Sequence, residues 1–196
     1  MELRAAEPAE LRTLYERDLR ASFPPAELKP LTAMERLERR GRYRPYCYAD
    51  GGRILGECFL WLGEPGWALL DYLCVSPPAR GAGVGAKMLG ALRKAENGVI
   101  FWESEAPEHA PDRAMAERRL TFYRRNGARL AGYDTEAFGV HYRTLYLADG
   151  AVADDALLRR HRAIYQDCFP PEKFIRYLRI PRAPDALPGE QVPWSE

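Results

Sequence analysis

Apolar residues recur along this chain with two different periods, and the changes of period divide it into elements. Residues 2–6 read as a short strand. Glu7-Pro8-Ala9 opens a helix, because proline suits a first helical position and Leu11, Leu14, Tyr15 and Leu19 follow at helical spacing. Phe23-Pro24-Pro25 stops it. Leu31, Met34 and Leu37 mark a second helix over about Leu31 to Arg40, capped by Gly41.

The period then shortens. Tyr43 to Ala49 and Ile54 to Leu62 read as strands joined by Asp50-Gly51-Gly52, a hairpin turn. After the turn Gly63-Glu64-Pro65-Gly66 comes Trp67 to Val75, a nearly unbroken apolar run that suits a central strand covered on both faces. Val84, Met88, Leu89 and Leu92 form one face of a helix ending near Gly98, and Val99 to Glu103 is a strand. A strand, helix and strand in this order predict a right-handed crossover between parallel strands.

Pro107 and Pro111 bracket a loop before a helix over about Asp112 to Asn126, with Gly127 as its cap. Strands over Ala128 to Tyr133 and Val140 to Leu147 complete the pattern. Residues 151–178 read as two helices broken at Pro170-Pro171, followed by a proline-rich tail from Pro181 to Glu196. The fold class expected is α/β: a mixed central β-sheet flanked by helices over residues 1–150, with a C-terminal helical extension and tail over 151–196 that packs on the same domain.

Composition narrows the function. With 29 Lys+Arg against 28 Asp+Glu the charges nearly cancel, so no bulk field draws nucleic acid, and the paired arginines read as solvated helix faces. No apolar run approaches the roughly 18 residues of a membrane span, and no signal peptide is visible, so a soluble, cytoplasmic protein is expected. Cys47, Cys58, Cys74 and Cys168 have no Cys-x-x-Cys spacing, and His109, His141 and His161 are scattered. Buried reduced thiols and no metal site are the expectation.

The chemistry concentrates in Val75-Ser76-Pro77-Pro78-Ala79-Arg80-Gly81-Ala82-Gly83-Val84-Gly85. Glycines leave backbone N–H groups unshielded, and a helix start adds positive partial charge, so the stretch suits a pyrophosphate. A Walker loop would need Lys-Ser or Lys-Thr after its last glycine, where Ala86-Lys87-Met88 stands. A dinucleotide fingerprint fits poorly, because Gly85 comes one position early and several strands precede the loop.

The remaining pattern is Arg or Gln, two residues, Gly, one residue, then Gly or Ala, and Arg80-Gly81-Ala82-Gly83-Val84-Gly85 fits it at each specified position. In this loop, in the element order of residues 1–147, and in Thr121-Phe122-Tyr123-Arg124-Arg125-Asn126-Gly127-Ala128, the chain resembles the GNAT superfamily of N-acetyltransferases.

The resemblance implies transfer of an acetyl or other short acyl group from coenzyme A to a primary amine, by direct attack in a ternary complex. Acetyl-CoA is the acyl donor. Arg80, Gly81, Ala82, Gly83, Val84, Gly85 and Ala86 would hold the pyrophosphate, and Leu73, Cys74 and Val75 would offer backbone groups to the pantetheine arm. Tyr123 matches the family's general acid.

For the base, Glu103 sits at the end of its strand, Asp71 is a lone carboxylate in an apolar run, and Glu105 follows as a third candidate. Many family members carry an Asn seven positions before the tyrosine, where this chain has Ala116. The other function class is an acyl-CoA binding or sensing module without turnover. The acceptor stays open among a small amine, a peptide terminus and a lysine side chain, and so does a homodimer.

Overall fold

The structure, a computed structural model, describes residues 1–25 and 27–190. They group into two compact units divided between Asn97 and Gly98.

In the first unit, β1 (Glu2–Ala5), β2 (Tyr43–Asp50), β3 (Arg53–Leu62) and β4 (Trp67–Val75) pair antiparallel in chain order. The β2–β3 hairpin closes on Gly51 and Gly52 at φ 53° and 83°, the left-handed backbone that a two-residue turn of this hand requires. β4 departs from the expected run covered on both faces. Ala68, Leu69 and Leu70 are buried, but from Asp71 to Val75 burial alternates: Tyr72 and Cys74 lie inside, while Asp71, Leu73 and Val75 are half-exposed.

The first helix is not uniform. α1 (Pro8–Leu14) runs into a π-helical turn over Tyr15–Leu19 and then α2 (Arg20–Ser22), with the Arg20 N–H donating to the Tyr15 carbonyl, five residues back. The wide turn brings Asp18 inside, where it pairs with Arg17. α3 (Leu31–Arg39) buries the predicted Leu31, Met34 and Leu37. α4 (Val84–Ala95) buries Val84, Met88, Leu89 and Leu92 and lies against β3 because residue 56 is glycine: a Cβ there would stand 2.7 Å from the Met88 sulfur and 2.6 Å from the Cys74 carbonyl oxygen.

The second unit holds β5 (Val99–Glu105), β6 (Arg129–Ala137), β7 (Val140–Leu147) and β8 (Leu178–Arg179), paired antiparallel in the order β5-β7-β6-β8. β5 and β6 run further than the sequence pattern suggested, and β8 was not expected. α5 (Arg113–Arg125) starts at Asp112, whose side chain accepts from the Met115 N–H at 2.9 Å. The C-terminal segment forms α6 (Asp154–Gln166) and α7 (Pro171–Tyr177). α6 buries Leu157, His161, Ile164 and Tyr165, and its first residue, Asp154, accepts the Gly132 N–H of β6 at 2.9 Å. Of the proline-rich tail, residues 191–196 lie outside the described residues.

Candidate active site

After β4, Ser76 and a 3-10 turn over Pro77–Ala79 lead to Arg80, still extended, then to Gly81 and Gly83 at φ 82° and 73°. L-residues rarely adopt these values, so the path of the loop depends on both glycines. A Cβ at either would meet nothing within 4 Å. The glycines therefore serve the backbone path and leave open space above it.

Val84, Gly85 and Ala86 form the first turn of α4, where the N–H groups have no carbonyl one turn back, and no side chain caps them. The first N–H directed into the helix is that of Lys87, to the Gly83 carbonyl at 3.2 Å. Exposed N–H groups at a helix start, carrying its positive partial charge, suit a phosphate group.

The Arg80 side chain turns away from this opening. Its Nε donates to the Val75 carbonyl at 3.0 Å and its Nη2 to Ser22 Oγ at 3.2 Å, and Ser22 Oγ also lies 3.0 Å from Cys74 Sγ. Arg80 thus ties the loop to the end of β4 and to α2. Burial pushes the Cys74 thiol up to about 11, so it stays protonated and is no nucleophile at neutral pH. The predicted contact residues Leu73 and Val75 are half-exposed on the alternate face of the strand.

Asp71 is the extra residue of a β-bulge: Phe59 pairs with Tyr72 and Leu60 with Leu70, leaving Asp71 without a partner across the ladder. Its Oδ2 accepts from Lys29 Nζ at 2.6 Å and from the Tyr43 hydroxyl at 2.5 Å. A lone carboxylate in an apolar strand needs such partners, as the sequence implied; what the sequence did not reveal was that Lys29 supplies the charge.

In the second unit Tyr123 is nearly buried, its ring 4.9 Å from that of Trp102. Burial pushes its phenol up to about 12, so the hydroxyl keeps its proton. Glu103 is not at a strand end, since β5 continues to Glu105. Strand alternation sends Trp102 toward Tyr123 of α5 and Glu103 to the opposite face, under α6.

There Glu103 accepts from Thr135 Oγ1 and the Tyr165 hydroxyl, both at 2.6 Å, with His161 Nε2 at 3.4 Å. Burial alone would raise its pKa, but His161, Thr135 and Tyr165 together hold it below the usual carboxylate range. Glu105 pairs with Arg119 at 3.0 Å. Ala116 is fully buried on α5.

Sequence reading passed over Glu57, between Gly56 and Cys58 in β3. It is fully buried, and neither carboxylate oxygen has a hydrogen-bond partner. Burial, and after it the charge of Asp18, pushes its pKa up to about 8. The available signal was the one that flagged Asp71, a single carboxylate in an apolar strand. His161 and Tyr165 were hidden because nothing local in a helix names the strand residue it covers.

Among the described residues no helix is long and apolar enough to cross a membrane, and no group of three His, Cys, Asp or Glu side chains could hold a metal ion.

Residues 42–127 match the family model of the acetyltransferase (GNAT) domain. YjbC of Bacillus subtilis strain 168, an acetyltransferase by name, is 28% identical over 154 residues, covering 74% of this chain and 76% of its own. A solved structure from Bacteroides thetaiotaomicron, named as a GNAT-family acetyltransferase, is similar in fold, with a TM-score of 0.69 and 21% identity over 83% of this chain and 95% of that one. The spermidine N-acetyltransferase of Vibrio cholerae, solved with CoA and spermine, gives a TM-score of 0.53 and 14% identity over 74% of this chain and 93% of that one. The matched residues contain the open glycine loop at the start of α4 and the tyrosine of α5, and over them the chain is similar to the GNAT acetyltransferases.

Proposed function

We infer that the chain transfers an acetyl group from acetyl-CoA to a primary amine in a ternary complex. The observation that carries this reading is the run of exposed, left-handed glycines leading into the uncapped first turn of α4. Backbone N–H groups from Gly81 to Ala86 take the pyrophosphate, and the pantetheine arm follows the half-exposed edge of β4 at Leu73 to Val75.

The chemistry needs three proton movements in balance. The acceptor ammonium gives up a proton to a base. Its nitrogen then attacks the thioester carbonyl and gives up a second proton, and the carbon–sulfur bond breaks as the departing sulfur takes one. Tyr123 keeps its own proton at neutral pH and is the donor to the departing sulfur. Because a thiol titrates near 8.5, below this phenol, Tyr123 acts mainly by hydrogen-bonding the sulfur as charge builds.

Of the carboxylates, Glu103 has its lone pairs engaged by Thr135 and Tyr165 and a depressed pKa, so it is poorly suited to accept a proton. Asp71, on the strand that leads into the loop, takes its bonds from Lys29 and Tyr43 on one oxygen only, Oδ2, whereas Glu103 is engaged on both, and Asp71 is the better base. The acceptor is a cationic amine, a class that includes the substrate named for the Vibrio cholerae structure.

Thiol release from acetyl-CoA against a panel of primary amines tests the reading. Release that requires the amine and saturates in both substrates is expected. Tight acetyl-CoA binding with no release for any amine would identify a binding or sensing module instead.

A further inference from the structure

The side chain of Lys29, in the stretch between α2 and α3, is buried. Its ammonium donates to Asp71 at 2.6 Å, stands 4.0 Å from the centre of the Trp61 ring and 5.5 Å from that of Tyr43, and Tyr43 also donates to the same carboxylate oxygen at 2.5 Å. A carboxylate for the charge, two aromatic faces around it and a hydroxyl that fixes the carboxylate form a receptor for a primary ammonium. A quaternary ammonium could not donate the short bond to Asp71.

Neutralising Asp71 would not by itself require a cage of this kind. A lysine serving only as counter-ion satisfies the carboxylate without an aromatic ring 4.0 Å from its Nζ. The bulge is what aims Asp71 at the ammonium. The stretch that brings Lys29 here lies outside the helices and the sheet; the Tyr72 hydroxyl holds it, accepting from the Lys29 N–H at 2.7 Å and donating to the Glu27 carbonyl at 2.9 Å.

We propose that Asp71, Tyr43 and Trp61 form the subsite for the protonated primary amine of the acceptor, and that Lys29 fills it from within the chain until the acceptor displaces it. This rests on the acyl-transfer reading above. The pantetheine arm, running back along β4 from the glycine loop past Val75, Cys74 and Leu73, brings its acyl end to the bulge. The acceptor class is then a linear alkyl primary amine, whose methylenes take the place of the lysine stem.

The test uses Lys29→Ala with n-butylammonium as the probe and tetramethylammonium as control. The variant is expected to melt below the parent protein and to regain roughly 5–10 °C when n-butylammonium stands about a hundredfold above its Kd. Tetramethylammonium should do nothing, and Lys29→Ala/Asp71→Asn should lose the response. A folded Lys29→Ala that ignores n-butylammonium overturns the proposal, as does a variant that folds neither with the amine nor without it.

Lys29→Gln, whose neutral amide holds Asp71 more weakly, gives a second measurement on a filled cage. Its KM for n-butylamine should fall several-fold with the KM for acetyl-CoA unchanged, and an unchanged or raised amine KM counts against displacement. Thermal rescue without thiol release would uphold the cage and remove the transfer reaction. Thiol release without any response of Lys29→Ala to n-butylammonium would keep the reaction and remove the cage.

Discussion

Glu57 lies directly opposite Cys74 in the β3–β4 ladder, fully buried and with no hydrogen bond to either carboxylate oxygen. With burial raising its pKa from 4.5 to about 8, the folded protein keeps a proton that the unfolded chain loses between those values. Its contribution to stability is therefore intact below about pH 4.5 and declines as pH rises toward 8. Glu57→Gln should remove this decline and exceed the parent protein by about 2–3 kcal/mol at pH 9, the cost of burying the amide included. Urea midpoints at pH 5 and pH 9 measure it, and a parent protein equally stable at both would show that Glu57 holds no extra proton.

Gly83→Val places a branched residue at φ 73°, at a cost of about 1–2 kcal/mol from the backbone alone. Because a Cβ there meets no neighbour, any further effect falls on what binds above the loop. Acetyl-CoA affinity by calorimetry should drop by at least tenfold while the fold survives. Undiminished affinity would remove the loop from the binding site.

Tyr123→Phe keeps the ring against Trp102 and deletes only the hydroxyl. In acetyl transfer to an active amine, kcat should fall roughly 10²–10⁴-fold, with the KM for acetyl-CoA unchanged. A parallel loss of acetyl-CoA binding would mark the hydroxyl as a ligand contact rather than the acid.

Glu103 carries the opposite sign to Glu57. Its depressed pKa supplies stability that is present above about pH 4.5 and lost as pH falls through the folded value. Glu103→Gln should flatten the acid arm of the stability profile and cost about 1–3 kcal/mol at pH 7, since a buried group then faces donors arranged for a carboxylate. The acidic limb of kcat/KM should remain if the base is Asp71, as proposed. A limb that disappears with Glu103→Gln would return the role to Glu103.

Much of the architecture was legible because period and punctuation agree. Gly51-Gly52 fixed the hairpin, and Leu31, Met34 and Leu37 fixed the buried side of α3. The glycine loop could be read down to single positions because backbone conformation there allows so few residues. The rest depended on contacts distant in sequence. Glu103 looked like a free carboxylate at a strand end, and its three partners come from β6 and α6, which no local pattern connects to β5.

Asp71 was flagged correctly as needing partners, yet Lys29 lies 42 positions away in an irregular stretch. The π-helical turn was invisible for another reason. Leu11, Leu14 and Tyr15 keep helical spacing into it, so the added residue leaves the apolar pattern looking regular.

That wide turn works as an angular spacer. Removing one residue from Tyr15–Leu19 would restore α-helical winding and swing everything after it by about 100°. Ser22 would then leave both Cys74 and Arg80, and the arginine that opens the glycine loop would lose its tether to the helix. The orientation of Arg80 at the head of the glycine loop is thus set partly by a single surplus residue in the π-helical turn that precedes Ser22.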